Sequence, residues 1–218
     1  MRYRLACFDL DGTLLDTLGG LTFSLNAARR MNGLNAQTEE QVRSFIGNGV
    51  TKMIERSLAL DPGSYSEELK LKLLKDNVSY YDSHYLERTK PFNGITEVLT
   101  RLKSDGMLLA VVSNKNDEPS HKLIDHFFPN LFDYVSGSME GVERKPSAEP
   151  VERCLNKLGV KNSEAVYIGD SDTDIQTAQN SGMDIISCTW GYRTHEFLVE
   201  NGAKNICTDP MNLRTFMR

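Results

Sequence analysis

Apolar residues arrive along this chain in two rhythms. One is the short unbroken run: Leu5-Ala6-Cys7-Phe8, then Met107 to Val112, then Ala165-Val166-Tyr167-Ile168. Runs without polar alternation predict strands buried on both faces, as in the middle of a parallel sheet. The other rhythm repeats every three or four positions, as Leu18, Leu21, Leu25 and Ala28 do before the stop signal Asn32-Gly33. That spacing predicts a helix. Thr38-Glu39-Glu40-Gln41 matches a capping box and starts a second helix, which Gly47-Asn48-Gly49 interrupts before another helix at Val50 to Leu60. Beyond the Pro62-Gly63 turn a long helix covers Glu67 to about Leu86, so residues 17–88 predict helices and no strand.

From Pro91 onward the two rhythms alternate. Helices are predicted at Ile95–Leu102, Glu118–Phe128, Ala148–Leu158, 175–181 and 195–201, with a short one at the end. Strands are predicted at Met107–Val112, Phe132–Val135, Ala165–Ile168, 184–188 and 204–207. Alternation of this kind means an α/β fold, a doubly wound parallel sheet with right-handed crossovers. The all-helical stretch lies between the first and second strands and is read as an inserted cap. The expected division is core at residues 1–15, cap at 16–89 and the rest of the core at 90–218. Ligands of such a sheet bind beyond the C-terminal strand ends, where the winding order reverses.

Polar residues gather at those strand ends. Asp9 and Asp11 follow the first strand two positions apart, so in extended chain they face one side roughly 6–7 Å apart. Gly12 permits a tight departure and Thr13 adds a hydroxyl. The second strand runs into Ser113-Asn114, a later one into Gly169-Asp170-Ser171-Asp172-Thr173-Asp174, and Lys145 precedes a helix. Carboxylates, hydroxyl and amide donors and one cation are what a divalent metal beside a phosphoryl group requires. Oxygen ligands without clustered His or Cys point to Mg²⁺ rather than zinc.

Composition narrows the partners. A net charge of −5 over 218 residues, with no run of Lys or Arg, argues against a nucleic-acid binder. It does not exclude phosphate esters, because local cations and a metal reverse the sign within a cleft. Cys7, Cys154, Cys188 and Cys207 form no C-x-x-C pair and read as small buried apolar residues, and the histidines form no spaced cluster. No window approaches 18 apolar residues and Met1-Arg2-Tyr3-Arg4 leads straight into the first strand, so no membrane contact and a cytoplasmic location are expected. Trp190 reads as packing.

Phe8-Asp9-Leu10-Asp11-Gly12-Thr13, Val112-Ser113-Asn114, Arg144-Lys145-Pro146 and Gly169 to Asp174, in that order, resemble the haloacid dehalogenase superfamily. The resemblance is to its phosphatases with a helical cap after the first strand, and covers essentially the whole chain. Val42 to Val50 adds a likeness to the phosphoglycolate phosphatase-like branch. It implies that Asp9 is the nucleophile, forming an aspartyl-phosphate, and that Asp11 protonates the leaving group and then activates water. It further implies Mg²⁺ held by the Asp9 and Asp170 carboxylates and the Asp11 backbone carbonyl. Ser113, Asn114 and Lys145 would hold the phosphoryl oxygens, with Thr13 and Asp174 standing behind the ligands.

Other readings share these motifs. A β-phosphoglucomutase-like isomerase has the same carboxylate pair, but members resembling this chain usually carry a small apolar residue where Thr13 stands. A pyrophosphatase or nucleotidase of the same superfamily is a further alternative. The expected partner is a small phosphate ester such as 2-phosphoglycolate, and the protein a monomer or homodimer. In the cap, Arg43 and the Gly47-Asn48-Gly49 loop before a helix start form a candidate site for a substrate carboxylate; the alternative is a helix–helix corner.

Overall fold

A computed structural model describes residues 2–217. The chain divides into two compact units, Met1–Asp16 with Pro91–Arg218, and Thr17–Lys90. In chain order its elements begin with β1 (Leu5–Phe8) and the short β2 (Leu15–Asp16). Four helices follow: α1 (Leu18–Met31), α2 (Glu39–Phe45), α3 (Val50–Ala59) and α4 (Glu67–His84). After β3 (Lys90–Pro91) come α5 (Ile95–Ser104), β4 (Leu108–Asn116), α6 (Asp117–Phe127), β5 (Tyr134–Ser138) and α7 (Glu149–Leu158). The chain continues through β6 (Ala165–Gly169), α8 (Asp172–Ser181), β7 (Asp184–Cys188), α9 (His195–Glu200), β8 (Ile206–Cys207) and α10 (Leu213–Phe216).

Six strands form one parallel sheet in the order β5-β4-β1-β6-β7-β8. The chain winds outward from β1 through β4 to β5, returns to β6, and then winds the other way. The order therefore reverses beside β1, which is paired on both sides: Leu5 stands opposite Leu108 of β4 and Ala165 of β6. All four β1 residues are buried, as an unbroken apolar run requires in a sheet covered on both faces. One face packs Leu5, Cys7, Val112 and Tyr167 against Val151 and Cys154 of α7 and Ala178 of α8. The four cysteines are free and buried, and among the described residues no helix is long and apolar enough to cross a membrane.

Some boundaries differ from the hydropathy reading. β4 continues past Val112 through four polar residues to Asn116, with an irregularity in its ladder to β5 between those two positions. Backbone pairing, not side-chain polarity, sets where a strand ends. β5 starts at Tyr134, two residues beyond the expected position, because the Phe132 ring packs edge-on against Phe8 and Phe128 instead. α8 starts at Asp172, where Ser171 and Asp174 close a capping box.

In the helical unit, the predicted capping box of Thr38 and Gln41 is present. Arg29, almost wholly buried, ties the unit together by donating to Asn35 O at 2.6 Å, Ser57 Oγ at 2.9 Å and Asp61 Oδ1 at 2.7 Å. Every donor direction of a buried guanidinium needs such a partner.

Candidate active site

The site is assembled at the C-terminal ends of β1, β4 and β6, beside the reversal in winding order. Asp9 follows β1 immediately, and its backbone N–H donates to Ile168 O of β6 at 2.9 Å, which keeps the first residue after the strand in the ladder. Its buried carboxylate meets Lys145: Oδ1 lies 2.9 Å from Nζ. The contact is an ion pair rather than an aligned hydrogen bond, and Oδ1 otherwise has no hydrogen-bond partner.

Lys145 distributes its remaining protons to Asp174 Oδ1 at 2.8 Å and Tyr167 Oη at 2.9 Å. Tyr167 Oη in turn donates to Val112 O at 2.8 Å. Burial alone would lower the lysine's pKa, but the carboxylates of Asp174 and Asp9 outweigh it and hold the ammonium firmly charged. Asn114 Nδ2 donates to Lys145 O at 3.0 Å, fixing the backbone that carries this cation.

Asp170 follows β6 and is gripped on both oxygens. Thr13 Oγ1 donates to Oδ1 at 3.3 Å and the Tyr192 backbone N–H to Oδ2 at 2.7 Å. Asp174, one helical turn on, accepts at Oδ2 from Ser171 N at 3.0 Å and Ser171 Oγ at 2.6 Å. Gly169 makes room for it, since a Cβ there would stand 2.3 Å from Asp174 Cγ. Ligand oxygens of Asp9, Asp170 and Asp174 all lie within 4.8 Å of one another.

Three buried carboxylates with one lysine among them leave negative charge uncompensated. The proton affinities register it: burial first, then neighbouring carboxylates, raise Asp9 to about 6 and Asp170 to about 8. For Asp9 the Lys145 charge opposes the rise, and for Asp170 the Tyr192 N–H does. A cluster of hard oxygen donors, one of them a buried oxygen without an aligned donor, suits a divalent cation such as Mg²⁺.

Asp11 points elsewhere. Its carboxylate is partly exposed and pairs with Lys115 of β4, whose Nζ lies 3.1 Å from Oδ1 and 3.2 Å from Oδ2. Ser113, also on β4 and buried, accepts at Oγ from the Lys115 N–H at 3.3 Å.

A sequence model of haloacid dehalogenase-like hydrolases matches residues 6–188. The chain belongs to that family. This hydrolase is 35% identical over 194 residues to a phosphoglycolate phosphatase of Aquifex aeolicus, covering 87% of the chain and 86% of the relative. It is 33% identical over 186 residues to the phosphoglycolate phosphatase of Mesorhizobium japonicum, covering 85% and 82%. A crystal structure from Lactobacillus delbrueckii subsp. bulgaricus, provisionally described as a phosphoglycolate phosphatase, superposes with a TM-score of 0.95 at 36% identity, over 100% and 99% of the two chains. The hydrolase thus falls in the branch that its motifs and cap sequence suggested.

The two carboxylates Asp9 and Asp170, together with Thr13, Lys145 and Asp174, meet in one cluster of this hydrolase, with Asn114 on the Lys145 backbone. In the helical unit Asn48 Oδ1 accepts from Arg56 NH2 at 2.7 Å, while Arg56 NH1 donates to Phe45 O at 2.8 Å. Gly47 and Gly49 have φ of 110° and 84°, which favours glycine at both, and Arg43 is exposed at the end of α2. Sequence reasoning missed Lys115, Tyr167 and the loop at 190–193. Signals existed for two of them: a cation directly after Ser113-Asn114, and one hydroxyl inside an otherwise apolar strand. Trp190 is more than packing, since its Nε1 donates to Thr13 O at 3.0 Å.

Proposed function

We propose that this hydrolase is a Mg²⁺-dependent phosphomonoesterase acting through an aspartyl-phosphate on Asp9, with a small phosphorylated acid such as 2-phosphoglycolate as substrate. One observation carries the reading: a buried carboxylate at the end of the central strand stands 2.9 Å from a buried lysine, in a cluster of two further aspartates. The names of the relatives support the substrate class.

In this reading Asp9 attacks phosphorus, the leaving oxygen departs on the opposite side, and Asp11 supplies its proton. Asp11 then takes a proton from the water that hydrolyses the acyl phosphate, which restores the Asp9 carboxylate. Lys145, Ser113 and Asn114 receive the phosphoryl oxygens; for Lys145 this means sharing its charge between Asp9, Asp174 and the incoming group. The Asp9 and Asp170 carboxylates and the Asp11 carbonyl would hold Mg²⁺, with Thr13 and Asp174 behind them. The bound ion supplies positive charge that neutralises phosphoryl oxygens and the paired aspartates. Arg43 and the loop at Gly47, Asn48 and Gly49 are the proposed receptor for the substrate carboxylate.

The test is phosphate release with and without Mg²⁺ from 2-phosphoglycolate, sugar phosphates, nucleotides and pyrophosphate. A preference for 2-phosphoglycolate that disappears with EDTA and with Asp9→Asn supports the proposal. Retained turnover in Asp9→Asn rules out the mechanism, and a preference for another ester rules out the substrate.

A further inference from the structure

The loop after β7, Trp190-Gly191-Tyr192, closes over Asp170 from a part of the chain that no motif reading includes. Trp190 Nε1 donates to Thr13 O at 3.0 Å, and Thr13 Oγ1 donates to Asp170 Oδ1 at 3.3 Å. Two residues further on, the Tyr192 N–H donates to Asp170 Oδ2 at 2.7 Å. Between these anchors Gly191 lies so close that a Cβ would stand 2.3 Å from Gly12 O, 2.4 Å from Asp170 Oδ2 and 2.5 Å from Asp170 Cβ. Gly12 is equally bare on its side: at φ +87° its own Cβ would fall 2.4 Å from Asp170 Oδ2.

Asp170 is therefore seated in a slot between two glycines, with Oδ2 held by Tyr192 of the loop and Oδ1 by Thr13, whose carbonyl the loop's Trp190 holds in turn. Each carboxylate oxygen has a second lone pair, so both hydrogen bonds leave acceptor capacity for a cation. Freezing the rotation of a ligating carboxylate before the ion arrives removes an ordering cost from binding. We infer that residues 190–192 are a positioning strap for the Mg²⁺ site: Trp190, Gly191 and the Tyr192 N–H preset the Asp170 carboxylate for the metal. The inference rests on the proposed metal role of Asp170.

The experiment is Mg²⁺ titration by calorimetry on the full-length chain, without substrate, together with unfolding temperatures in EDTA. Two variants are needed. Gly191→Ala places a methyl against Asp170, and Trp190→Phe keeps an aromatic ring, smaller than the indole, but deletes the donor to Thr13 O. Both should bind Mg²⁺ more weakly, Gly191→Ala by about tenfold or more and Trp190→Phe by a smaller factor. At saturating Mg²⁺ the loss of kcat in Trp190→Phe should be smaller than its loss of Mg²⁺ affinity, because the strap presets the site rather than reacting. A lower unfolding temperature in EDTA with unchanged Mg²⁺ affinity in Trp190→Phe shows a purely structural loop and overturns the inference. No Mg²⁺ binding by the wild-type chain overturns the metal reading itself, and the strap with it.

Discussion

Lys115 Nζ lies 3.1 Å and 3.2 Å from the two carboxylate oxygens of Asp11 and donates to both. Lys115 lies on β4 and Asp11 three residues past the end of the neighbouring parallel strand β1, so the pairing of these two strands brings them near each other. The Lys115 side chain is only 6% exposed, and the pair is therefore more than a solvated surface contact. Its geometry suits a lysine that holds the Asp11 carboxylate, the proposed acid and base, in one orientation.

Lys115→Met frees the Asp11 carboxylate to rotate. Turnover of an alkyl phosphate, whose leaving oxygen needs a proton, should fall roughly ten- to a hundredfold. Departure of a phenolate from an aryl phosphate should be much less affected in a single-turnover burst. Equal losses in both would mean that Lys115 acts on the phosphoryl group and not through Asp11.

Without metal, Asp170 should make stability depend on pH. Its carboxyl is raised from 3.8 to about 8, chiefly by burial and then by Asp174 and Asp9. Between those values the native state holds a proton that the unfolded chain has released, so this contribution to stability is lost as pH rises through the window. In EDTA the unfolding temperature should drop from pH 5 to pH 8, and Asp170→Asn should flatten that slope and raise the pH 8 value. Mg²⁺ should stabilise the wild type far more than the variant. A variant with the wild-type slope in EDTA would exclude Asp170 as its source.

Tyr167→Phe removes the hydroxyl between Lys145 and Val112 O. A buried ammonium then lacks one of its three partners, a loss of about 1–3 kcal/mol in stability. Because Lys145 is also less firmly oriented, kcat for any good ester should fall by roughly tenfold while the fold persists. Unchanged kcat alongside a reduced unfolding temperature would confine Tyr167 to a packing role.

Gly49→Ala tests the proposed carboxylate receptor. At φ 84° an alanine is strained, so the loop backbone must shift. KM for 2-phosphoglycolate should rise roughly fivefold, the equivalent of about 1 kcal/mol at a helix start. Aryl-phosphate kinetics should stay close to wild type. A parallel change on both substrates reduces this loop to a helix–helix corner.

The acidic pair at 9 and 11, the Ser113-Asn114 step, Lys145 and the acidic turn at 170–174 were all legible along the chain. So was the alternation that makes a doubly wound sheet. These signals are local: buried parallel strands leave unbroken apolar runs, and chemistry placed at strand ends interrupts them abruptly. Periodicity likewise marks a helical stretch between the first two strands, because three- and four-residue spacing is a property of the segment alone.

Only the tertiary structure decided the pairings. Hydropathy ended β4 at Val112, yet the strand runs on to Asn116, carrying Lys115 within ion-pair reach of Asp11. Tyr167 reads as one more apolar strand residue until the register turns its hydroxyl toward Lys145. The loop at Trp190 reaches Asp170 through Tyr192 across 22 positions and Thr13 through Trp190 across 177, contacts that no sequence period can encode. Such contacts arise from which strands are neighbours and from how closely two glycines allow backbone to approach a carboxylate. The residue types were set in the sequence; which lysine serves which aspartate was set by the packing of the sheet.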